Sequence, residues 1–183
     1  MDIVLRLLPH LERLPGIEVR VLALTTAGPR IAQASYEALG CRDYLPLAGY
    51  ERALDLGAEL SKGLWDATSG IPWEESCAYL GVSMIDLITE VGEAEARRRY
   101  AQQGRKAFCP TNFLQQVLQQ ERPHLVITTC HVRMERAAVL ATRALGITSV
   151  RIEDLFGYSL LGERGIDQEP ELLPEGEWPD QVV

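Results

Sequence analysis

The sequence predicts an α/β protein with a mostly parallel sheet and a large helical insertion. Three observations lead there. Ile17 to Leu24 (IEVRVLAL) alternates and then runs apolar, as a sheet strand does. His124 to Ile152 reads strand, helix, strand within roughly 30 residues, the span of a βαβ unit with parallel strands. Between them, Ala48 to Gln120 is helical in pattern, with no β-rich run to interrupt it.

Taken in order, Ile3, Val4, Leu7, Leu8, Leu11 and Leu14 recur at helical spacing behind Asp2, an acceptable N-cap, and Pro15-Gly16 closes the segment. After the strand at Ile17–Leu24, Thr25 to Pro29 makes a polar turn into a helix ending at Leu39-Gly40, with glycine as the C-cap. Cys41 to Leu47 fits a short strand weakened by Pro46. The helical stretch breaks at Ser69-Gly70-Ile71-Pro72 and at Cys109-Pro110. Thr111-Asn112 then caps a helix whose apolar stripe is Phe113, Leu114, Val117 and Leu118, with glutamines opposite. His124–Thr129 is a strand, Arg133–Leu145 a helix ending at Gly146, and Thr148–Ile152 a strand. Residues 1–157 form one domain in this reading, and 158–183 an acidic extended arm or the start of a linker.

Composition narrows the function classes. A chain of 183 residues suits one domain that buries roughly 70% of its unfolded surface, so it needs no disulfide framework. Cys41, Cys77, Cys109 and Cys130 lie far apart, without C-x-x-C or paired-His spacing, which predicts reduced thiols, no metal and a cytoplasmic location. No apolar run approaches the roughly 20 residues of a membrane span. The net charge of -8 would argue against nucleic acid if it were spread evenly, and although it is not, no nucleic-acid partner is expected. Six of those negative charges fall after Gly162, where Arg164 is the single base.

The candidate site is the stretch VITTCHVRMERAA, Val126 to Ala138. In an open parallel sheet, ligands bind beyond the carboxyl ends of the strands, where helix N-termini present unpaired N–H groups. Thr128 to Arg136 occupies such an end. Arg133 and Arg136 can share a helix face and grip an anion, with Glu135 beside them on the first turn. The neighbouring strand finishes at Glu153-Asp154, so carboxylates and guanidiniums meet at one rim. Thr128, Thr129, Arg133, Arg136 and Glu153 are the candidate ligand-binding residues. His131, Glu135 and Asp154 are the candidates for proton transfer.

Weaker constellations are Trp65, Trp73 and Tyr79, which could stack a sugar ring but suit core packing better, and the basic cluster Arg97, Arg98 and Arg99 with Arg105 and Lys106. That cluster reads as a solvated helix face balanced by Glu90, Glu93 and Glu95.

The pattern RPHLVITTCHVRMERAAVLATRALGITSVRIEDLFG resembles the closing βαβ of the N-terminal domain in GT-B glycosyltransferases and non-hydrolysing UDP-N-acetylglucosamine 2-epimerases. The opening IVLRLLPHLERLPGIEVRVLAL is similar to their first helix and second strand. The resemblance spans roughly Asp2 to Gly157 and is sharp in Arg122 to Gly157. It implies a Rossmann-like three-layer domain, half of a GT-B fold, that holds a sugar or glycoconjugate acceptor while a second half binds the nucleotide-sugar. This chain begins at the helix where the family places a strand first, has no G-x-G-x-x-G, and stops where the donor half would start. The resemblance therefore implies an acceptor-side half that is inactive alone, needs no cofactor of its own, and works with a separate nucleotide-sugar-binding chain. An epimerase-like half and a non-catalytic module of the same fold are the alternatives. The missing strand would leave an edge exposed, which predicts a homo-oligomer or a heterocomplex.

Overall fold

The computed structural model describes residues 2–23, 27–130, 133–152 and 179–182. Within them the chain is α/β and mostly helical, with a small parallel sheet. It divides into two compact units, Met1–Phe113 and Leu114–Val183.

In the first unit, α1 (Asp2–Leu11) stops a turn short of Leu14. Its end tightens, with Glu12 N–H donating to Leu8 O and Leu14 N–H to Leu11 O, both at 3.0 Å. Leu8 packs into a small core with Ala23 and Ile31, flanked by Val4, Leu5, Val19, Val21 and Tyr36. The segment from Ile17 forms no regular strand. Among the described residues it pairs only through one parallel bridge, Leu22 with Leu39, where Ala23 N–H donates to Leu39 O and Leu39 N–H to Val21 O, both at 2.9 Å.

Helix α2 (Ala27–Gln33) also ends early, well before Leu39-Gly40. Ser35 takes the left-handed conformation at φ 65° and turns the chain toward the bridge, a task the sequence suggested for Gly40. The short strand expected over Cys41–Leu47 is instead a single 3-10 turn, Cys41–Tyr44. A carboxylate from far along the chain makes that turn: Glu75 accepts from Cys41 N–H at 2.7 Å and Arg42 N–H at 3.0 Å. Asp43 accepts from Gly40 N–H at 2.7 Å. With those amides engaged, no strand ladder can form there.

The helical stretch resolves into α3 (Ala53–Ser61), α4 (Trp73–Val91), α5 (Glu93–Gln103) and α6 (Thr111–Glu121). Helices α3 and α4 approach at backbone distance through two glycines. A Cβ on Gly57 would stand 1.7 Å from Cys77 O, and one on Gly81 would stand 1.8 Å from Ala53 O. Buried Asp86 on α4 accepts from the Tyr50 hydroxyl and from the Asn112 and Phe113 N–H groups, capping the first turn of α6. On α5 the arginines are paired as the sequence indicated: Arg97 with Glu93 and Glu59, Arg98 and Arg99 with Glu95. The bonds from Arg98 and then Arg99 pull the Glu95 carboxyl down to about 2.

The boundary between the units falls inside α6. The second unit carries β1 (Leu125–Thr128), α7 (Arg133–Leu145), β2 (Thr148–Arg151) and β3 (Gln181–Val182). The sheet order is β1-β2-β3, and both pairings are parallel. The βαβ unit read from the sequence is therefore present, with β1 losing His124 and Thr129 and β2 losing Ile152 relative to the expected spans. α7 closes on Gly146 (φ 68°) with the paired bonds of a Schellman end: Ile147 N–H to Thr142 O at 2.9 Å and Gly146 N–H to Arg143 O at 3.3 Å.

Of the stretch read as an acidic arm, residues 158–178 lie outside the described residues, but its end joins the sheet. Asp180 accepts from Ser149 N–H at 2.7 Å and Ser149 Oγ at 3.1 Å, which sets Gln181 and Val182 alongside β2. Those bonds to Ser149 hold the Asp180 carboxyl below the usual range.

Candidate functional site at the carboxyl rim of the parallel sheet

Register and pleat decide what the rim presents. Leu125 pairs with Thr148, Val126 with Ser149, Ile127 with Val150 and Thr128 with Arg151. Paired residues of a parallel sheet share a face, and faces alternate along the strand. Leu125 and Ile127, 46% and 38% exposed, mark one open face. On the other, Thr128, Ser149 and Arg151 are buried at 3%, 3% and 6% exposure. α7 packs on both strands, and the exposure of Leu125 and Ile127 places it on the opposite, buried face. The covered side is the more polar one, an unusual arrangement for a parallel sheet, whose buried positions are normally apolar.

Beyond Thr128 the chain turns into α7, and Glu135 in the first helical turn reaches back to hold the turn. Its carboxylate accepts from the N–H of Thr129, from Cys130 N–H at 2.9 Å, from Cys130 Sγ at 3.0 Å and from Thr129 Oγ1 at 3.3 Å. A carboxylate near a helix N-terminus is favoured by the macrodipole, and here it also satisfies two loop amides. Those are the amides a ligand anion would use at such a turn. Ile152 N–H continues the ladder past β2, donating to Thr128 O at 2.9 Å.

Of the residues proposed from sequence, the structure brings Thr128, Thr129 and Glu135 together at the rim. Arg133 opens α7, exposed and with φ 51°, and Arg136 is half-buried one turn on. His131, Glu153 and Asp154 lie outside the described residues. Sequence reasoning passed over Arg151. Its signal was a single cation inside the β-forming run TSVRI, which the pleat places on the same face as Ser149.

Elsewhere, Trp65 and Trp73 meet edge to face at 5.5 Å, and Trp65 Nε1–H donates to Ile71 O at 3.0 Å, so the pair clips the intervening loop. Tyr79 is buried in the first unit. A cleft of about 80 Å3 between Leu64, Ile71, Glu75, Tyr79 and Arg105 is far below the roughly 300 Å3 at which small-molecule sites begin. All four cysteines are free thiols. Burial, with Glu75 and Asp43 adding to it, pushes the Cys41 thiol up, away from reactivity. Among the described residues no group of three His, Cys, Asp or Glu side chains could hold a metal ion, and no helix is long and apolar enough to cross a membrane.

Comparison with known protein families, with curated proteins and with solved structures gives no match. The functional reading therefore rests on the geometry of the rim.

Proposed function

We propose that the chain is the acceptor-side half of a GT-B-type sugar transferase. It holds a sugar or glycoconjugate acceptor at the carboxyl rim of β1 and β2 and depends on a separate chain for the nucleotide-sugar. The observation that supports this is the β1-α7-β2 unit, parallel and in register, with Thr128, Thr129, Arg133 and Arg136 at the end where open parallel sheets bind ligands. The test is activity in isolation. Purified protein is expected to bind glycan acceptors in a microarray and to release no nucleotide from nucleotide-sugars. Steady release of nucleotide by the pure chain would overturn the reading.

One observation favours a second reading, a binding module without chemistry. A base must have a lone pair to spare, and Glu135 is met by donors from both Thr129 and Cys130. Its role in this reading is to shape the turn. Glu135→Gln then alters amide exchange at Thr129 and Cys130 while leaving any partner-reconstituted turnover within a few-fold of the native rate; a collapse of turnover with an unchanged loop would restore Glu135 as a catalytic group.

A further inference from the structure

We propose that the outer edge of β1 pairs with the same edge of a second copy of this chain, antiparallel about a twofold axis at Val126, so that the two sheets become one. The ladder shows which backbone groups are available for this. Thr128 O accepts from Ile152 N–H on the β2 side at 2.9 Å, and successive residues of a strand turn their N–H and C=O groups to opposite edges. Val126 and Thr128 therefore face β2, while Leu125 and Ile127 face outward. The same alternation on β2 turns Ser149 away from β1, and its N–H does donate to Asp180 on that far side. The sheet order leaves β1 at an edge, and among the described residues no hydrogen bond or bridge engages the outward groups of Leu125 and Ile127.

The same two residues carry the exposed apolar side chains of the sheet, at 46% and 38% exposure. The opposite edge is different in kind, with Asp180 and exposed Gln181 along it. Proteins protect a free edge with charge, proline or a bulge, and the run LVIT of β1 has neither charge nor proline and pairs with β2 without a bulge. The charged groups of the sheet, Arg151 and Asp180, lie on β2 and next to β3, away from this edge.

The length of the free edge selects the occupant. Pro123 has no N–H to give, and the Thr129 N–H is taken by Glu135, so the edge is closed at both ends. Two donors and two acceptors remain, placed either side of Val126. When a copy is laid antiparallel on this edge, Leu125 of one chain opposes Ile127 of the other, and the reverse, as hydrogen-bonded pairs. Each free group then has one partner and none is left over. The four apolar side chains meet on the open face as directly opposed cross-strand pairs, the arrangement that stabilises a sheet. A twofold contact of this kind also closes after two chains, whereas a parallel, head-to-tail pairing would not. Pairing at this edge is independent of what the rim binds.

The test uses the full chain, with sedimentation velocity and amide hydrogen exchange measured from dilute to concentrated samples. The native chain should pass from monomer to dimer. The N–H groups of Leu125 and Ile127 should exchange roughly tenfold or more slowly in the concentrated sample, while those of Val126 and Thr128, already bonded to β2, should change little. Leu125→Lys combined with Ile127→Lys sets like charges opposite one another in this register and should leave the chain monomeric. Leu125→Lys combined with Ile127→Glu sets opposite charges together at the same places and should associate roughly tenfold or more tightly than the two-lysine variant. Both positions are exposed, so circular dichroism should show native-like folding; if a variant unfolds, the exchange pattern of the native chain decides. The proposal fails if the native chain stays monomeric throughout, or if exchange at Leu125 and Ile127 is independent of concentration. It also fails if the two-lysine variant dimerises as well as the native chain, or if the lysine–glutamate variant is no better than the two-lysine one.

Discussion

Replacing Gly57 or Gly81 by alanine tests the closest packing in the first unit, and the two physical effects involved have opposite signs. In a helix interior alanine is favoured over glycine by up to about 1 kcal/mol. Against that, the new Cβ would lie 1.7 Å from Cys77 O in the first case and 1.8 Å from Ala53 O in the second. Both obstacles are backbone atoms of the facing helix, so no side chain can rotate away. Restoring van der Waals separation requires α3 and α4 to part by about 1.5 Å, in an interior packed as densely as an organic crystal. Overpacking of this kind costs about 1–3 kcal/mol, often more where backbone must move. The clash should win, leaving each variant about 1–3 kcal/mol less stable, which for a chain of this size lowers the melting temperature by roughly 2–10 °C. Urea unfolding followed by far-UV circular dichroism measures it. Gly28→Ala is the control: it sits in α2, and its Cβ would meet Ala23 O at an ordinary 3.7 Å, so its stability should be unchanged or slightly higher. A Gly57→Ala protein as stable as the native chain, with Gly28→Ala also unchanged, would refute the close crossing of α3 and α4.

Other perturbations address the buried carboxylate, the sheet edge and the rim. Burial raises the Asp86 carboxyl, with Tyr50 and the α6 amides pulling against it. The folded state therefore binds its proton more tightly than the unfolded state does, and the stability this contributes is full at acid pH and lost as pH rises through the folded value. Melting temperatures across pH should show Asp86→Asn gaining on the native chain as the solution leaves the ordinary carboxylate range toward neutrality, and a constant difference would contradict the assignment. Asp180 behaves oppositely: its carboxyl is lowered by Ser149, so its contribution is present above the unfolded value and lost as pH falls through the lowered one. Asp180→Ala should accordingly speed amide exchange at Gln181 and Val182 at neutral pH, and unchanged exchange would mean that β3 is held by something else. Replacing Arg133 and Arg136 together by alanine should weaken sulfate or phosphate binding several-fold in calorimetry with little change in melting temperature, whereas an unfolded double variant would make the pair structural.

The legible parts of the fold are those whose signals are local. α7 begins at Arg133 and ends at Leu145 as expected, because the Gly146 turn that stops it is written next to the helix it closes. The β1-α7-β2 unit was legible for the same reason: two runs of β-formers flank a helical period. The 3-10 turn at Cys41 was not, since the carboxylate that makes it belongs to Glu75, more than thirty residues on. Nor could the stretch at Ile17–Leu24 reveal that its pairing would shrink to one bridge at Leu22, because alternation reports suitability for a sheet and not the presence of a neighbour. Gly57 and Gly81 look alike in sequence to any tolerated helical glycine, and only the facing helix shows what they admit. Asp180 falls in the stretch read as an acidic extended arm, yet it bonds to Ser149.

At the rim the sequence supplied residue types without their surroundings. Acid, base and hydroxyl residues were all present between Thr128 and Arg136, and residue type alone suggested proton transfer for Glu135. The structure shows which groups surround that carboxylate. Its oxygens accept from Thr129 and Cys130, so it secures the turn that follows β1. Arg151, passed over in the sequence, is buried on the central strand in register with Thr128. Depth is set by register and by the helix packed on the strands, so the run TSVRI could give the residue types of this face but not their burial.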